Sequence, residues 1–182
     1  MPEHDPISQP VTQPQENNLR IRHAVPGDHD VVQRLCLAGE QEAAFILEPG
    51  EPYAEDFSED SGDNDPVAGF WVAETSDSAD GADARVVGML GLRALEGHVA
   101  EARRLYVEPD FRGHGIGMRL LEQLVGKCRD AGYLKVVLDV GEKSEAAVRL
   151  FNRLGFQLAR ERASDGRTIM DFYLDIYRDN PG

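Results

Sequence analysis

Residues 105–117 read LYVEPDFRGHGIG, which is the most informative segment of the sequence. It begins as the end of an apolar strand pattern, which stops at the proline because proline cannot donate to a β ladder. It ends in an amphipathic helix pattern that follows three glycines at alternate positions, Gly113, Gly115 and Gly117. A helix N-terminus leaves backbone N–H groups unpaired, and glycines let a ligand approach the backbone closely. The stretch therefore predicts an anion-binding turn, with Arg112 as a charged donor at its entrance.

The glycine spacing excludes two common phosphate-binding patterns. A dinucleotide fingerprint would need its third glycine at Met118, and the Gly-Lys-Ser or Gly-Lys-Thr of a P-loop is absent. The alternative to a ligand site is a plain helix start with solvated arginines, since glycine-rich turns before helices are common. Between Arg103 and Lys135, seven basic residues outnumber four acidic ones, which favours an anionic ligand.

Periodicity predicts the elements on either side of the turn. Before it we expect a strand at Leu19, a helix after Asp28, a short helix near 43–47, and strands over 70–73, 85–92 and 98–107. After it we expect a helix from Ile116, a strand at 136–138, a helix from Ser144 to Leu154, and strands from Phe156 and over 168–177. The order predicts an α/β (α+β) fold class with a mixed sheet of about seven strands and helices on its faces. We expect a flexible leader at 1–18, a single domain over 19–177 with an acidic loop at 48–66, and a tail at 178–182.

Composition excludes several classes of protein. The 182 residues are 41% hydrophobic and carry a net charge of −14, and residues 40–83 hold 14 acids and no Lys or Arg. Such a charge disfavours a nucleic-acid partner. No apolar run reaches the ~18 residues of a membrane helix, and the polar start lacks a secretory signal. Cys36 and Cys128 do not form a metal-binding pattern. We therefore expect a cytoplasmic protein that binds no nucleic acid, membrane or metal.

Two short motifs resemble one family. Arg112, Gly115 and Gly117 form the pattern Arg-x-x-Gly-x-Gly, and residues 150–156 read LFNRLGF. In this order of strands and helices they resemble the GNAT superfamily of N-acetyltransferases over nearly all of 19–177. The resemblance implies a mostly antiparallel sheet whose central strand pair splays apart around acetyl-CoA. It implies that the backbone of Leu105, Tyr106 and Val107 pairs with the pantetheine arm, and that the diphosphate is held beside Arg112 by the amides of Gly113, His114, Gly115, Ile116 and Gly117.

The resemblance also implies a catalytic base. Acetyl transfer needs a group that accepts a proton from the amine. Glu101 lies in the fourth predicted strand, where family members that use a glutamate have one. The alternative is an exposed strand carboxylate paired with Arg103 or Arg104.

The general acid departs from the family pattern. Phe151 occupies the position of the family's tyrosine and has no proton to give, and Ser144 replaces its pantetheine-binding asparagine. We expect both to contact the cofactor. Tyr106 or water is then the candidate acid, although Tyr106 is equally interpretable as a core aromatic.

Two functions follow. The first is an N-acetyltransferase that moves an acetyl group from acetyl-CoA to a primary amine of a small molecule or protein. The second is a non-catalytic acyl-CoA-binding or regulatory module of the same fold, which Phe151 would permit. The acidic residues at 40–83 either attract a cationic amine or form solvated surface. The sequence is compatible with a homodimer that forms through the final strands.

Overall fold

The computed structural model describes residues 19–42, 68–76, 83–141, 145–164 and 166–177. The strands are β1 (Leu19–His23), β2 (Gly69–Thr75), β3 (Arg85–Leu95), β4 (Val99–Val107), β5 (Lys135–Gly141), β6 (Gln157–Ser164) and β7 (Arg167–Asp175). The helices are α1 (His29–Gln41), α2 (Ile116–Asp130) and α3 (Glu145–Arg153). The leader at 1–18, the short helix near 43–47, the acidic loop at 48–66, Ser144 and the tail at 178–182 lie outside the described residues.

One seven-stranded sheet runs through the described residues in the order β1-β2-β3-β4-β5-β7-β6. Every neighbouring pair is antiparallel except β4 and β5, which are parallel. The predicted mixed, mostly antiparallel sheet of seven strands is confirmed. β3 continues three residues beyond its predicted end, to Leu95.

The parallel strands β4 and β5 separate soon after they meet. They pair through Val99, Ala100 and Glu101 of β4, opposite residues 135–137 of β5. β4 continues to Val107 and β5 to Gly141, with no further pairing between them among the described residues. The predicted splayed central pair is therefore confirmed.

A bulge in β4 changes which face its side chains cover. The register with β3 shifts between Met89 and Gly91, where two steps of β3 oppose three steps of β4. Arg104 lies in this bulge with φ +56°, a left-handed conformation that is costly for a residue with a Cβ. As a result Ala102 and Tyr106 pack on opposite faces of the sheet, although their spacing would place them on one face of a regular strand.

Helices cover both faces. The α1 face is closed by a small cluster: Val32, Leu35, Cys36, Phe70, Val72, Val86, Met89 and Tyr106. The opposite face is covered by α2 and α3, and α2 buries one stripe: Ile116, Leu120, Leu121, Leu124, Val125 and Cys128. Both cysteines are buried, as their positions on apolar helix faces predict. No helix in the described part of the chain is long and apolar enough to cross a membrane.

An ion-pair cluster fastens β1 to the start of α1. Arg22 donates to both carboxylate oxygens of Asp28, at 2.6 and 3.0 Å, and its Nε donates to Glu74 on β2 at 2.8 Å. The Val25 amide also donates to Asp28 at 2.8 Å. Asp28 stands at the N-cap of α1 as the sequence predicts, but its carboxylate serves these partners and makes no cap hydrogen bond to the helix. These contacts, first of all the one to Arg22, hold the pKa of Asp28 below its usual value.

Candidate active site

The turn between β4 and α2 leaves the first amides of the helix available. Gly113 and Gly115 have φ of +81° and +75°, conformations that favour glycine, and Gly115 is the N-cap of α2. The helix has no side-chain cap and no acidic residue in its first turn. Ile116 is buried, so only its backbone can reach a ligand. Backbone amides at a helix N-terminus and the helix dipole favour the binding of an anion at such a position.

The third glycine serves packing. A Cβ on Gly117 would lie 3.4 Å from Leu150 Cδ2 of α3, so a larger residue would push the two helices apart. His114 is exposed, with Nδ1 3.3 Å from the carbonyl oxygen of Phe111. The three glycines therefore have two different uses, which their regular spacing does not reveal.

Arg112 is fixed beside this turn by three contacts. Its Nε donates to the carbonyl oxygen of Val107 at 2.8 Å, and its Nη2 donates to Glu42 Oε2 at 2.7 Å. The guanidinium carbon lies 5.2 Å from the centre of the Tyr106 ring, a cation–π distance. The side chain keeps 46% of its surface exposed, so it remains accessible to an anion in solution.

Tyr106 shares Glu42 with Arg112. Its hydroxyl donates to Glu42 Oε1 at 2.6 Å, and the ring is buried against α1. Burial, and next the bond to Glu42, raise the pKa of Tyr106 to about 12. The hydrogen bond from Tyr106 and then that from Arg112 lower the pKa of Glu42. Tyr106 is therefore a buried aromatic residue, which is one of the two interpretations of the sequence, and its hydroxyl is hydrogen-bonded to Glu42.

A narrow cleft lies where β4 and β5 separate. Its walls come from the two separating strands, from β3, and from α2 and α3: Leu90, Ala102, Arg103, Arg104, Leu105, Leu121, Leu138, Asp139, Val140, Ala147 and Phe151. Phe151 is buried, with ring-centre distances of 6.0 Å to Phe156 and 5.7 Å to Phe172. It forms an apolar wall. A larger open groove of about 410 Å³ lies along the outer side of α2 and is lined mainly by charged side chains, away from the strand opening.

Glu101 lies at the last β4–β5 pair, immediately before the opening. Because Ala100 and Ala102 pack towards α2, strand alternation directs Glu101 to the α1 face. Its Oε2 is 2.7 Å from Nη2 of Arg93, yet no described residue gives this buried atom a donor with hydrogen-bond geometry. Glu101 thus forms an ion pair with Arg93 on β3, whereas the sequence suggested Arg103 or Arg104. The ion pair balances the charge of Glu101 but does not give its Oε2 atom a hydrogen bond.

Asp139 on β5 is a second carboxylate at the opening, and no motif of the sequence indicates it. It lines the cleft and accepts from Arg162 Nη2 at 3.0 Å. Burial raises the pKa of Asp139, Arg162 opposes this, and the carboxylates of Glu101 and Asp171 raise it further. The signal was a single acid within the apolar run of residues 136–140.

Glu101 and Asp139 approach the opening from the two separating strands. Val136, Leu138 and Val140 pack towards α2 and α3, so alternation places Asp139 on the α1 face, with Glu101. Carboxylates there can bind an ammonium group and accept its proton. Among the described residues no group of three or more His, Cys, Asp or Glu is arranged to hold a metal.

Comparison with known proteins identifies the family. Residues 37–156 match the model of the acetyltransferase (GNAT) family. The chain belongs to this family. The predicted resemblance is confirmed, and the family that matches is one of acetyltransferases.

Individual relatives agree with this assignment. N-acetyltransferase 8 of Rattus norvegicus is 30% identical over 118 residues, 62% of this chain and 49% of that protein. The chain spans half or less of the length of the curated relatives it matches. A putative acetyltransferase from Salmonella typhimurium, solved with its cofactor acetyl-CoA, superposes with a TM-score of 0.71 at 19% identity, over 91% of this chain and 98% of that one. Spermidine N-acetyltransferase from Vibrio cholerae, in complex with CoA and spermine, gives 0.68 at 16% identity, over 90% and 98%.

Proposed function

We propose that this chain is an N-acetyltransferase that moves an acetyl group from acetyl-CoA directly to a primary amine. The observation that carries the proposal is the separation of β4 from β5 immediately beyond Glu101. It leaves one strand edge open between a helix N-terminus that suits a diphosphate and two carboxylates that suit an amine. One linear ligand with an anionic end and a reactive end fits that arrangement.

The cofactor would lie along β4. The amides from Gly113 to Gly117 and the Arg112 side chain receive the diphosphate at the α2 N-terminus. The unpaired edge of residues 105–107 offers backbone groups to the amides of the pantetheine arm. Phe151 packs against the arm as an apolar wall. A contact from Ser144 stays a prediction, because that residue lies outside the described ones.

The two carboxylates would act on the acceptor. Asp139 and Glu101 bind its ammonium group, and Glu101 accepts the proton, which leaves a neutral amine. The amine nitrogen bonds to the acetyl carbon as the carbon–sulfur bond breaks, and CoA leaves as a thiolate. Water then takes the second proton from the nitrogen, which leaves a neutral amide. Water reprotonates the thiolate, since Phe151 has no proton and Glu42 holds that of Tyr106. Tyr106 stays the candidate for a protein-derived acid.

We propose a cationic amine as the acceptor. Support comes from the carboxylates at the opening, from the 14 acids at 40–83, and from the spermine held by the Vibrio cholerae enzyme. A steered cation predicts that the acceptor KM rises with ionic strength. An acceptor KM that is unchanged by salt would show that the acids are solvated surface.

We further propose a cytoplasmic location and allow a homodimer through the final strands. The two free thiols, Cys36 and Cys128, suit a reducing compartment. β6 is an edge strand of the sheet, which leaves its outer side available for pairing.

One observation favours the second candidate, a non-catalytic acyl-CoA-binding module. The position of the family's proton donor holds Phe151, and the tyrosine of β4, Tyr106, donates its proton to Glu42. The two functions differ in turnover. A binding module takes up acetyl-CoA but releases no thiol beyond spontaneous hydrolysis with any amine.

Thiol release from acetyl-CoA, measured across a panel of polyamines, lysine-containing peptides and neutral amines, tests the proposal. We expect turnover with at least one cationic amine, and a fall of about 10²-fold or more in kcat for Glu101→Gln with acetyl-CoA affinity retained. Glu96→Gln, in the exposed β3–β4 turn, makes the same charge change outside the site and should keep full activity. Binding without turnover would favour the module, and full activity of Glu101→Gln would remove Glu101 as the base.

A further inference from the structure

Glu42 connects the end of α1 with the cofactor turn. It lies immediately after α1, and its two carboxylate oxygens accept from two groups of the candidate site: Oε1 from the Tyr106 hydroxyl at 2.6 Å and Oε2 from Arg112 Nη2 at 2.7 Å. Neither contact was predictable from spacing, since the partners are 64 and 70 residues away in sequence. The guanidinium that faces Glu42 is the one that the proposed function assigns to the diphosphate.

We infer that Glu42 is a positioning residue that competes with the cofactor diphosphate for Arg112, and that cofactor binding transfers the guanidinium from the carboxylate to the diphosphate. The inference rests on the proposed function. In addition to that function, Glu42 would set the affinity for the cofactor and would lose its contact with Arg112 when the cofactor binds.

The geometry supplies a pivot for this transfer. The bond from Arg112 Nε to the carbonyl oxygen of Val107 ties the base of the guanidinium to the end of β4, and the Tyr106 ring flanks it. Nη2 is the atom turned towards Glu42. A small rotation about the anchored Nε end moves the outer nitrogens from the carboxylate to an anion at the α2 N-terminus.

The Glu42 carboxylate and the cofactor diphosphate are both anions, and they compete for the Arg112 guanidinium. Hydrogen bonds from Tyr106 and Arg112 keep the Glu42 carboxylate ionised, since they lower its pKa. A fixed negative charge 2.7 Å from Arg112 neutralises the cation that a diphosphate needs and repels the diphosphate itself. Glu42 is therefore expected to weaken cofactor binding.

The contact is weak enough to exchange. Its partners are 39% and 46% exposed, and an ion pair of that exposure is readily replaced. A diphosphate that also bonds to the α2 amides therefore displaces Glu42. Removing the carboxylate should tighten binding by about two- to fivefold, the range that an exposed ion pair allows.

Calorimetric titration with CoA tests the inference with four proteins besides the wild type: Glu42→Gln, Glu40→Gln, Arg112→Ala, and Glu42→Gln combined with Arg112→Ala. We expect Glu42→Gln to tighten CoA binding about two- to fivefold, and the effect to shrink at high salt. Glu40→Gln removes the same charge two residues earlier in α1 and should leave affinity unchanged. In the Arg112→Ala background, Glu42→Gln should tighten binding less than in the wild type, because only the direct repulsion between the carboxylate and the diphosphate is then removed.

The outcomes separate the inference from the proposed function. If Arg112→Ala weakens CoA binding while Glu42→Gln leaves it unchanged or weaker, the cofactor turn stands and the competition is refuted. Equal tightening by Glu42→Gln with and without Arg112 would also refute it, because the effect would then be general charge. If Arg112→Ala leaves CoA binding unchanged, the assignment of Arg112 to the diphosphate fails, and the inference with it. A KM for acetyl-CoA that falls together with Kd excludes simple structural damage, which would raise both.

Discussion

Gly91 on β3 allows the β4 bulge to form, and substituting it tests that account. A Cβ built on Gly91 lies 3.2 Å from Arg103 Cγ, from the Arg103 carbonyl oxygen and from Phe70 Cε1. The carbonyl belongs to the backbone beside the bulge, and Phe70 is 1% exposed, so neither can move away easily. Gly91→Ala therefore has to strain the bulge or the α1 cluster.

The expected cost follows from two opposing terms. Overpacking of a filled site costs about 1–3 kcal/mol. Alanine also restricts the unfolded chain, which raises the free energy of unfolding by about 0.4–1 kcal/mol. The net loss in the free energy of unfolding is about 1–2 kcal/mol, which lowers the Tm of a chain of this size by about 3–6 °C. Because Arg103 lines the cleft, kcat/KM should fall as well.

Thermal and denaturant unfolding of Gly91→Ala measure this loss, with Gly126→Ala as the matched control. Gly126 lies inside α2, and a Cβ there meets no atom within 4 Å. The control should gain about 0.5–1 kcal/mol, because alanine is the better helix former. Equal stability of the two variants would refute the claim that contact with the bulge requires glycine at position 91.

Three further variants test separate contacts. Asp28→Asn should lower the free energy of unfolding at neutral pH by about 2–3 kcal/mol, because Arg22 loses its bidentate partner. Folding lowers the pKa of Asp28, so its carboxylate stabilises the protein fully above the ordinary pKa of 3.8 and loses this effect as pH falls through the pKa of the folded state. In urea unfolding, the difference in stability between the variant and the wild type should therefore close below about pH 4. Asp139→Asn should raise the acceptor KM about fivefold or more, because the acceptor loses one charge-assisted contact, and should change the KM for acetyl-CoA little. A selective rise in the KM for acetyl-CoA would contradict the placement of Asp139 at the acceptor. Tyr106→Phe should keep kcat within about threefold, because Glu42 holds the phenol proton, whereas a tenfold fall would make Tyr106 the acid.

Local patterns in the sequence predict most of the fold. The strand that ends in residues 105–107, the glycine turn and the apolar stripe of α2 each depend on neighbours in sequence, and the structure has all three. The described elements come in the predicted order, and the family resemblance supplied the splayed strand pair. Propensity and periodicity succeed where the deciding contacts are local.

The side-chain partners in the site were not predictable in the same way. The β4 bulge moves Tyr106 to the α1 face, and strict alternation cannot show that without the partner strand. Glu42 meets Arg112 across 70 residues, and Asp139 meets Arg162 across 23. Such pairs depend on how strands and helices pack in three dimensions. A lone carboxylate in an apolar strand was the only sign of Asp139.

Calorimetric titration of the purified protein with acetyl-CoA, with NAD as a control, measures whether the opening between β4 and β5 binds the cofactor. We expect one micromolar site for acetyl-CoA that Arg112→Ala weakens, and no comparable binding of NAD. Absence of acetyl-CoA binding at both low and high salt would contradict this expectation, and the glycine turn would then be only the start of a helix.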